Sequence, residues 1–569
     1  MKRAMIVLVA ASMVATCGFA AQQGAIVNGE YVITVAAGDP DVTLNADDAT
    51  ALGTTVNLVK KGAGRLIVST DLSAQNWKGA VRVEAGYFKP TVAGACGTRD
   101  AAGLEVQSGA TCEYAATAYM TCRTLKFGGF GVGGTQGAIR LGVNSNVTML
   151  DRSNNSDYQM VTVTDDALIA IPYSRNFQFR YGTQFNMGGK KVTVEGPGVF
   201  CLMGSMSNPG DFEVTGSATL LFEQINLLGS SANTLTVNNG CRVRFANNHP
   251  TWTMRVKGTC YVGTSGWVVT TMASQNYPNF GCGWDGPIQL DDNATLTVDV
   301  NDTKNSTSTN TFYIAGQISG NGGLKVTRGY LKLTNSNNTF TGAVTQTGVQ
   351  SFLIATRFGA LPALYDGADI AVSNNWVDVT AVQGETQLTD ANLSACYETH
   401  RSIFLSKKLK LNMDFDYSYG ADMSSPAALT HGGTGAFTVG GDVAGNVVDL
   451  VNDGGTLSLA ANKEHDFHNM YVRGGTVNFH SAGYVDLVLS TNYIGASYPD
   501  IACLHITNTV VDMRANPADN SAVQRTVIGG DGTATQQRGM LVIGEGACVT
   551  GQVYLGGSGA KGMGTLLVQ

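Results

Sequence analysis

The chain has 569 residues, 43% of them hydrophobic and 14% charged, with 71 Gly, 12 Pro and a net charge of −7. That apolar fraction is enough for an ordered core, which excludes general disorder, and the glycines follow no Gly-X-Y period, which excludes collagen. With 36 basic against 43 acidic residues and no Lys/Arg-rich block, the chain carries no electrostatic footprint for nucleic acid.

Residues 1–20 read as a secretory signal peptide. Lys2 and Arg3 form the charged start, Ala4 to Val14 the short apolar run, and Gly18 and Ala20 the small residues of a cleavage site. The run is too short to span a bilayer. The alternative is a lipoprotein signal with Cys17 as the acylated residue. The expected location is therefore secreted or on the outer cell surface. No later run approaches ~18 apolar residues, so no membrane span is expected after cleavage.

Residues 21–57 are expected to form an N-terminal cap and first strands, because the first layer of a strand stack needs cover against edge pairing. From residue 58 to 569 the chain repeats itself. VKKGAGRLIV (59–68) returns as VEGPGVFCL (194–202), VTRGYLKL (326–333) and VNDGGTLSL (451–459). The turn glycines Gly64, Gly198, Gly329 and Gly455 are 134, 131 and 126 residues apart (198 − 64, 329 − 198, 455 − 329). A second landmark, Gly97, Gly229, Gly359 and Gly495, keeps the same phase. The units lie near 58–190, 191–322, 323–450 and 451–569, the last one incomplete.

Inside each unit, short runs alternate with period 2, as in Leu331/Leu333 and Leu457/Leu459, between turns rich in Gly, Asn, Asp and Thr. The one helical pattern is Leu388 to Phe404. Units of this length are too long for propeller blades and lack immunoglobulin Trp/Cys spacing. The expected fold is all-β: a right-handed parallel β-helix, or β-solenoid, of about four degenerate units of ~130 residues. Coils of ~22 residues would number about 25 and make a rod of roughly 120 Å. Near the C-terminus, RGMLVIGEGACV and MGTLLVQ place Gly539 and Gly564 in a tighter repeat.

The pattern resembles the autotransporter-associated β-strand repeat. Lys60, Gly62, Gly64, Leu66 and Val68 lead to Trp77 and Gly79, then to Val81, Val83, Gly86 and Phe88; Asn76 stands one place off the pattern. A second copy has Lys325, Leu331 and Leu333, then Asn338, Phe340 and Gly342, then Thr345 and Gly348, with Thr327 in place of a glycine. Each match covers about 30 residues. The resemblance implies a surface-exposed parallel β-helix passenger. It carries no catalytic residues, and the outer-membrane barrel usual in that family has no counterpart in the sequence.

Chemistry-bearing motifs are sparse. The acid pairs Asp47-Asp48, Asp165-Asp166 and Asp291-Asp292 read as polar turns, since strand neighbours point to opposite faces. His431-Gly432 lacks the companion motifs of a polygalacturonase. His465, Asp466, His468 and His480 suggest a metal site only loosely. DFDYSYGAD (414–422) fails the EF-hand spacing, and FGGFGVGGTQG (127–137) lacks the Lys-Ser/Thr of a phosphate loop. Ten cysteines follow the leader with no C-x-x-C pair, and are expected mostly in the core. No catalytic, cofactor-binding or metal-binding residue is therefore expected. Trp252, Trp267 and Trp284 form the candidate ligand-facing surface, because exposed aromatic rings stack on sugars. The expected function is a non-catalytic, structural or adhesin-like β-solenoid with surface glycans or surface proteins as partners. The alternative is a β-helix that binds or degrades polysaccharide.

Overall fold

The computed structural model is all-β, 51% strand and 9% helix, with parallel strands stacked as a β-solenoid of about 16 turns. It describes residues 23–569 except 116–122, 143–146, 150–158, 180–182, 224–231, 247–249, 265–281, 301–310, 349–350, 373–376, 401–402, 404–408, 425–427, 445–448, 461–462, 464–468, 480–483, 487–491, 495, 498–501, 507–509, 513–525, 529–536, 545–546, 551–552 and 556–561. Two compact units comprise Met1–Leu228 and Gly229–Gln569.

The first unit starts with a hairpin. Ala25–Val27 pairs antiparallel with Glu30–Thr34, across Asn28 and Gly29, whose φ values of 51° and 79° suit a tight two-residue turn. The other edge of Glu30–Thr34 runs parallel to Leu58–Lys61. The hairpin strand thus covers the edge that the first coil would leave open. A helix, Ala46–Leu52, follows, where Asn45 accepts from the Asp47 and Asp48 amides and Asp48 accepts from the Asn45 amide. The Asp48 carboxylate is fully buried and also accepts from the Gln23 amide at 2.8 Å and from the Tyr31 hydroxyl. One carboxylate therefore ties the entering chain, the first parallel strand and the helix. Asp48→Ala should cost about 2 kcal/mol by breaking the capping box and orphaning the donors that Asp48 satisfies. Urea unfolding measures this, and a loss below about 0.5 kcal/mol would exclude that role.

Successive coils then stack in register. Leu58 faces Val81, which faces Leu104, and Leu66 faces Phe88, which faces Cys112. All six are buried, and so is Val68, as the alternation in the sequence predicts. The corner before Arg65–Val68 needs glycine. Gly62 has φ 77°, and a Cβ there would lie 2.2 Å from the Val35 carbonyl oxygen of the coil before. One coil on, Gly86 has φ 70° and packs against the Gly62 carbonyl in the same way. Gly64, Gly198 and Gly455 sit in such corners, and Gly329 bends the long strand Gly323–Leu333 at φ 73°. Intervening coils turn at comparable glycines, among them Gly109, Gly216, Gly240 and Gly258. The smallest structural repeat is therefore the single coil.

Lys60 stands in the inward row between Ile33 and Val83 and has no exposed surface. Its ammonium donates to three corner carbonyls, Lys61 at 2.9 Å, Gly62 at 2.6 Å and Ala85 at 3.0 Å. Burial pushes its pKa down to about 8.

In the second unit one row runs Tyr417, Phe437, Leu457, Val477, Leu504, Leu541, Leu566 through seven parallel strands. Gly539 lies opposite Gly564, as the C-terminal sequence repeat predicts. Regular coils here take 20 residues, the spacing at which Asp414, Asp416 and Asp422 accept backbone amides of the next coil. Other coils are much longer: Val377 faces Leu409, and Leu504 faces Leu541. Such excursions explain why about 16 turns replace the expected 25. A helix spans Asp390–Thr399 within the sequence pattern; Thr389 caps its start, and His400 leaves helical geometry at φ −101°, ψ 29°.

Candidate functional site

The tryptophan surface requires correction. Trp252 is 1% exposed and Trp284 0%. Trp284 lies opposite Ile314 of the neighbouring parallel strand, and its ring lies 5.5 Å from that of Phe245. The reason is hydrophobic: each indole removes a large apolar area from water when it fills the coil interior. Neither ring is available to stack on a sugar. Trp267 lies outside the described residues.

The other sequence motifs are accounted for by packing. Cys96, Cys112, Cys201, Cys241, Cys260, Cys282 and Cys396 are buried and Cys503 partly so. Burial pushes the Cys260 and Cys282 thiols up to about 12, far from a reactive thiolate. The side chains of Cys122 and Cys548 lie outside the described residues, as do His465, Asp466, His468 and His480. In DFDYSYGAD, Asp414 and Asp416 accept the Thr434 and Ala436 amides, so they serve the next coil. Asp291 forms a two-pronged pair with Arg255 at 3.0 and 3.1 Å. Val132, in the Gly-rich stretch, donates its amide to the Thr111 hydroxyl at a coil corner. Among the described residues no group of three or more His, Cys, Asp or Glu is placed to hold a metal ion.

One cluster of ionisable side chains was not legible as a motif. It lies on the outer face of strands Val377–Ala381, Leu409–Met413, Ala428–Gly432, Asp449–Asn452 and Asn469–Val472. Leu411, His431, Asn452 and Val472 form a buried inward row. The alternate positions therefore point outward: Asp378 opposite Lys410, then Thr430 opposite Val451, then Tyr471. The Lys410 ammonium is 3.8 Å from Asp453, whose other oxygen is 3.8 Å from Arg473. The Arg473 guanidinium lies over the Tyr471 ring at 4.9 Å. Gly432 makes room, since a Cβ there would fall 2.3 Å from Lys410 Cε. Burial raises the carboxyl pKa values of Asp378 and Asp453, while Lys410 pulls both down. Thr430 is 4% exposed, and its hydroxyl has no hydrogen-bond partner.

On this face burial disfavours the charged form of both aspartates, and Asp453 lies between the cations of Lys410 and Arg473. The face does not make a glycoside-cleaving pair. The two aspartates sit three strand spacings apart, roughly 14 Å at ~4.8 Å per spacing, against ~5–9.5 Å for such pairs. His431 lies beneath the face, 1% exposed, with Nε2 3.2 Å from the Gly435 carbonyl oxygen. It cannot touch a substrate. The sequence held no signal for the cluster, because coils of unequal length separate its members. Comparison with protein-family models, with curated proteins and with solved structures gives no match.

Proposed function

We propose that the chain is a secreted or cell-surface β-solenoid with a structural or adhesin-like role and no catalysis of its own. One observation carries this reading: the buried side chains of Lys60 and Asn452 are committed to holding coils together. Lys60 binds three corner carbonyls, and Asn452 donates to the Gly474 carbonyl at 2.8 Å. Asp414, Asp416 and Asp422, on the surface, accept amides of the following coil. The leader-like residues 1–20 and the resemblance to autotransporter-associated repeats support export and display. Surface glycans or other surface proteins are the partners this role implies.

The test is to express the full chain with its leader in a bacterial host, fractionate the cells and read the N-terminus by mass spectrometry. The expected result is protein outside the cytoplasm with the leader removed. Retention in the cytoplasm with an intact leader would sink the reading of export. Release of reducing ends or unsaturated sugars from polysaccharide would sink the non-catalytic reading. A second reading, polysaccharide binding without cleavage, is favoured by a cation-rich sheet face in the second unit around Arg242 and Arg244.

A further inference from the structure

The strands Arg242–Ala246, Thr259–Thr264, Thr295–Asp299 and Gly323–Leu333 lie side by side and parallel. Val243, Val262 and Val298 are register partners and are buried. Their neighbours therefore face outward. One outward row runs Arg242, Tyr261, Thr297, Lys325. Beside it, Arg244 lies opposite Gly263, and Asp299 opposite Arg328. These positions hold four cations and one carboxylate, on a chain whose net charge is −7.

The cations are under-compensated. Asp299 meets Arg328 at 3.9 Å. Arg242 lies over the Tyr261 ring at 5.0 Å. Among the described residues, the side chains of Arg244 and Lys325 make no hydrogen bond or close ion pair. Burial, and then the neighbouring Arg242, hold the Arg244 guanidinium below its ordinary pKa, and the Asp299 carboxylate offsets this only in part. A second, independent feature points to a ligand. Thr297, in the middle of the row, is 2% exposed, and its hydroxyl has no hydrogen-bond partner. A buried hydroxyl left unsatisfied costs free energy that a ligand hydroxyl would recover.

We propose that this face binds an anionic polysaccharide, with carboxylate or sulfate groups on Arg244 and Lys325, flanked by Arg242, and a sugar hydroxyl on Thr297. The inference rests on the polysaccharide-binding reading and adds the ligand's charge and its site. Arg242 and Lys325 stand three strand spacings apart, about 14 Å. A single phosphate or sulfate cannot bridge that distance; a chain with repeated anionic groups can. Nucleic acid fits less well. Single-strand binding uses open aromatic faces for bases, and the Tyr261 face is covered by Arg242.

The experiment uses the full chain in affinity electrophoresis and calorimetry. The probes are a sulfated polysaccharide, polygalacturonate, neutral dextran, inorganic sulfate and single-stranded DNA. The expected result is salt-sensitive binding of a polyanionic glycan, weakened roughly tenfold or more by R244Q/K325Q and a few-fold by T297V. The matched charge change K126Q/K190Q, on the first unit, is expected to leave binding unaltered. Circular dichroism of each variant separates lost binding from lost fold. Anionic-glycan binding untouched by R244Q/K325Q would overturn the site. Binding of dextran alone would overturn the anionic class but leave the polysaccharide reading standing. Tighter binding of DNA or free sulfate than of any glycan would overturn the ligand class. No binding to any glycan would overturn both.

Discussion

Lys60→Ala is expected to destabilise the Met1–Leu228 unit by about 4 kcal/mol. Two effects add. The lysine stem fills the inward row between Ile33 and Val83, and truncating a buried side chain of that length leaves a cavity worth about 2–5 kcal/mol. The ammonium also satisfies three corner carbonyls, and buried acceptors left alone cost about 1–3 kcal/mol. Lys60→Met keeps the stem and loses the ammonium, so its loss should fall between wild type and alanine. Denaturant unfolding followed by tryptophan emission and compared between wild type and variants measures the loss; Trp77 reports on residues 1–228, and the other four tryptophans, in residues 229–569, supply an emission common to all the proteins compared. An alanine variant as stable as wild type would show that the corner does not depend on the ammonium.

Acid is expected to weaken the second unit through His431. The ring is buried against Phe437, at 5.9 Å between centroids, and burial lowers its pKa to about 4. The unfolded chain titrates near 6.5. Between those values the unfolded state binds the extra proton, so stability falls as pH drops from about 6.5 to about 4, by roughly 3 kcal/mol in full. His400 is shifted the same way, by burial, and adds to the effect. Other carboxylates also titrate in acid, so the informative quantity is the difference between wild type and His431→Leu. That difference, from urea midpoints at neutral pH and near pH 4.5, should shrink as pH falls. Parallel pH profiles for the two proteins would sink the assignment.

Much of the fold was legible in the chain because strand alternation is a local property. Leu66 and Val68 point inward as their spacing requires, and Gly539 meets Gly564 because two neighbouring coils carry similar sequences. The ligand-facing surface was misread for a physical reason. Composition ranks Trp252 and Trp284 as aromatic and amphipathic, but only the coil path decides whether an indole faces sugar or the interior. The helix was placed in its centre, and it begins at Asp390 instead of Leu388 because Thr389 caps it there.

What the sequence determined by itself was the class of fold, the corners and the inward face of each strand. These follow from period-2 alternation and from glycine at positive φ, both set within a few residues. The tertiary structure alone decided which residues become neighbours across coils. Asp378 meets Lys410, and Arg242 meets Tyr261, which meets Thr297, because parallel register brings together residues from coils of unequal length. Coil length depends on where each excursion leaves and rejoins the stack. That choice is made by burial of the whole inward row, and no single stretch of sequence contains it.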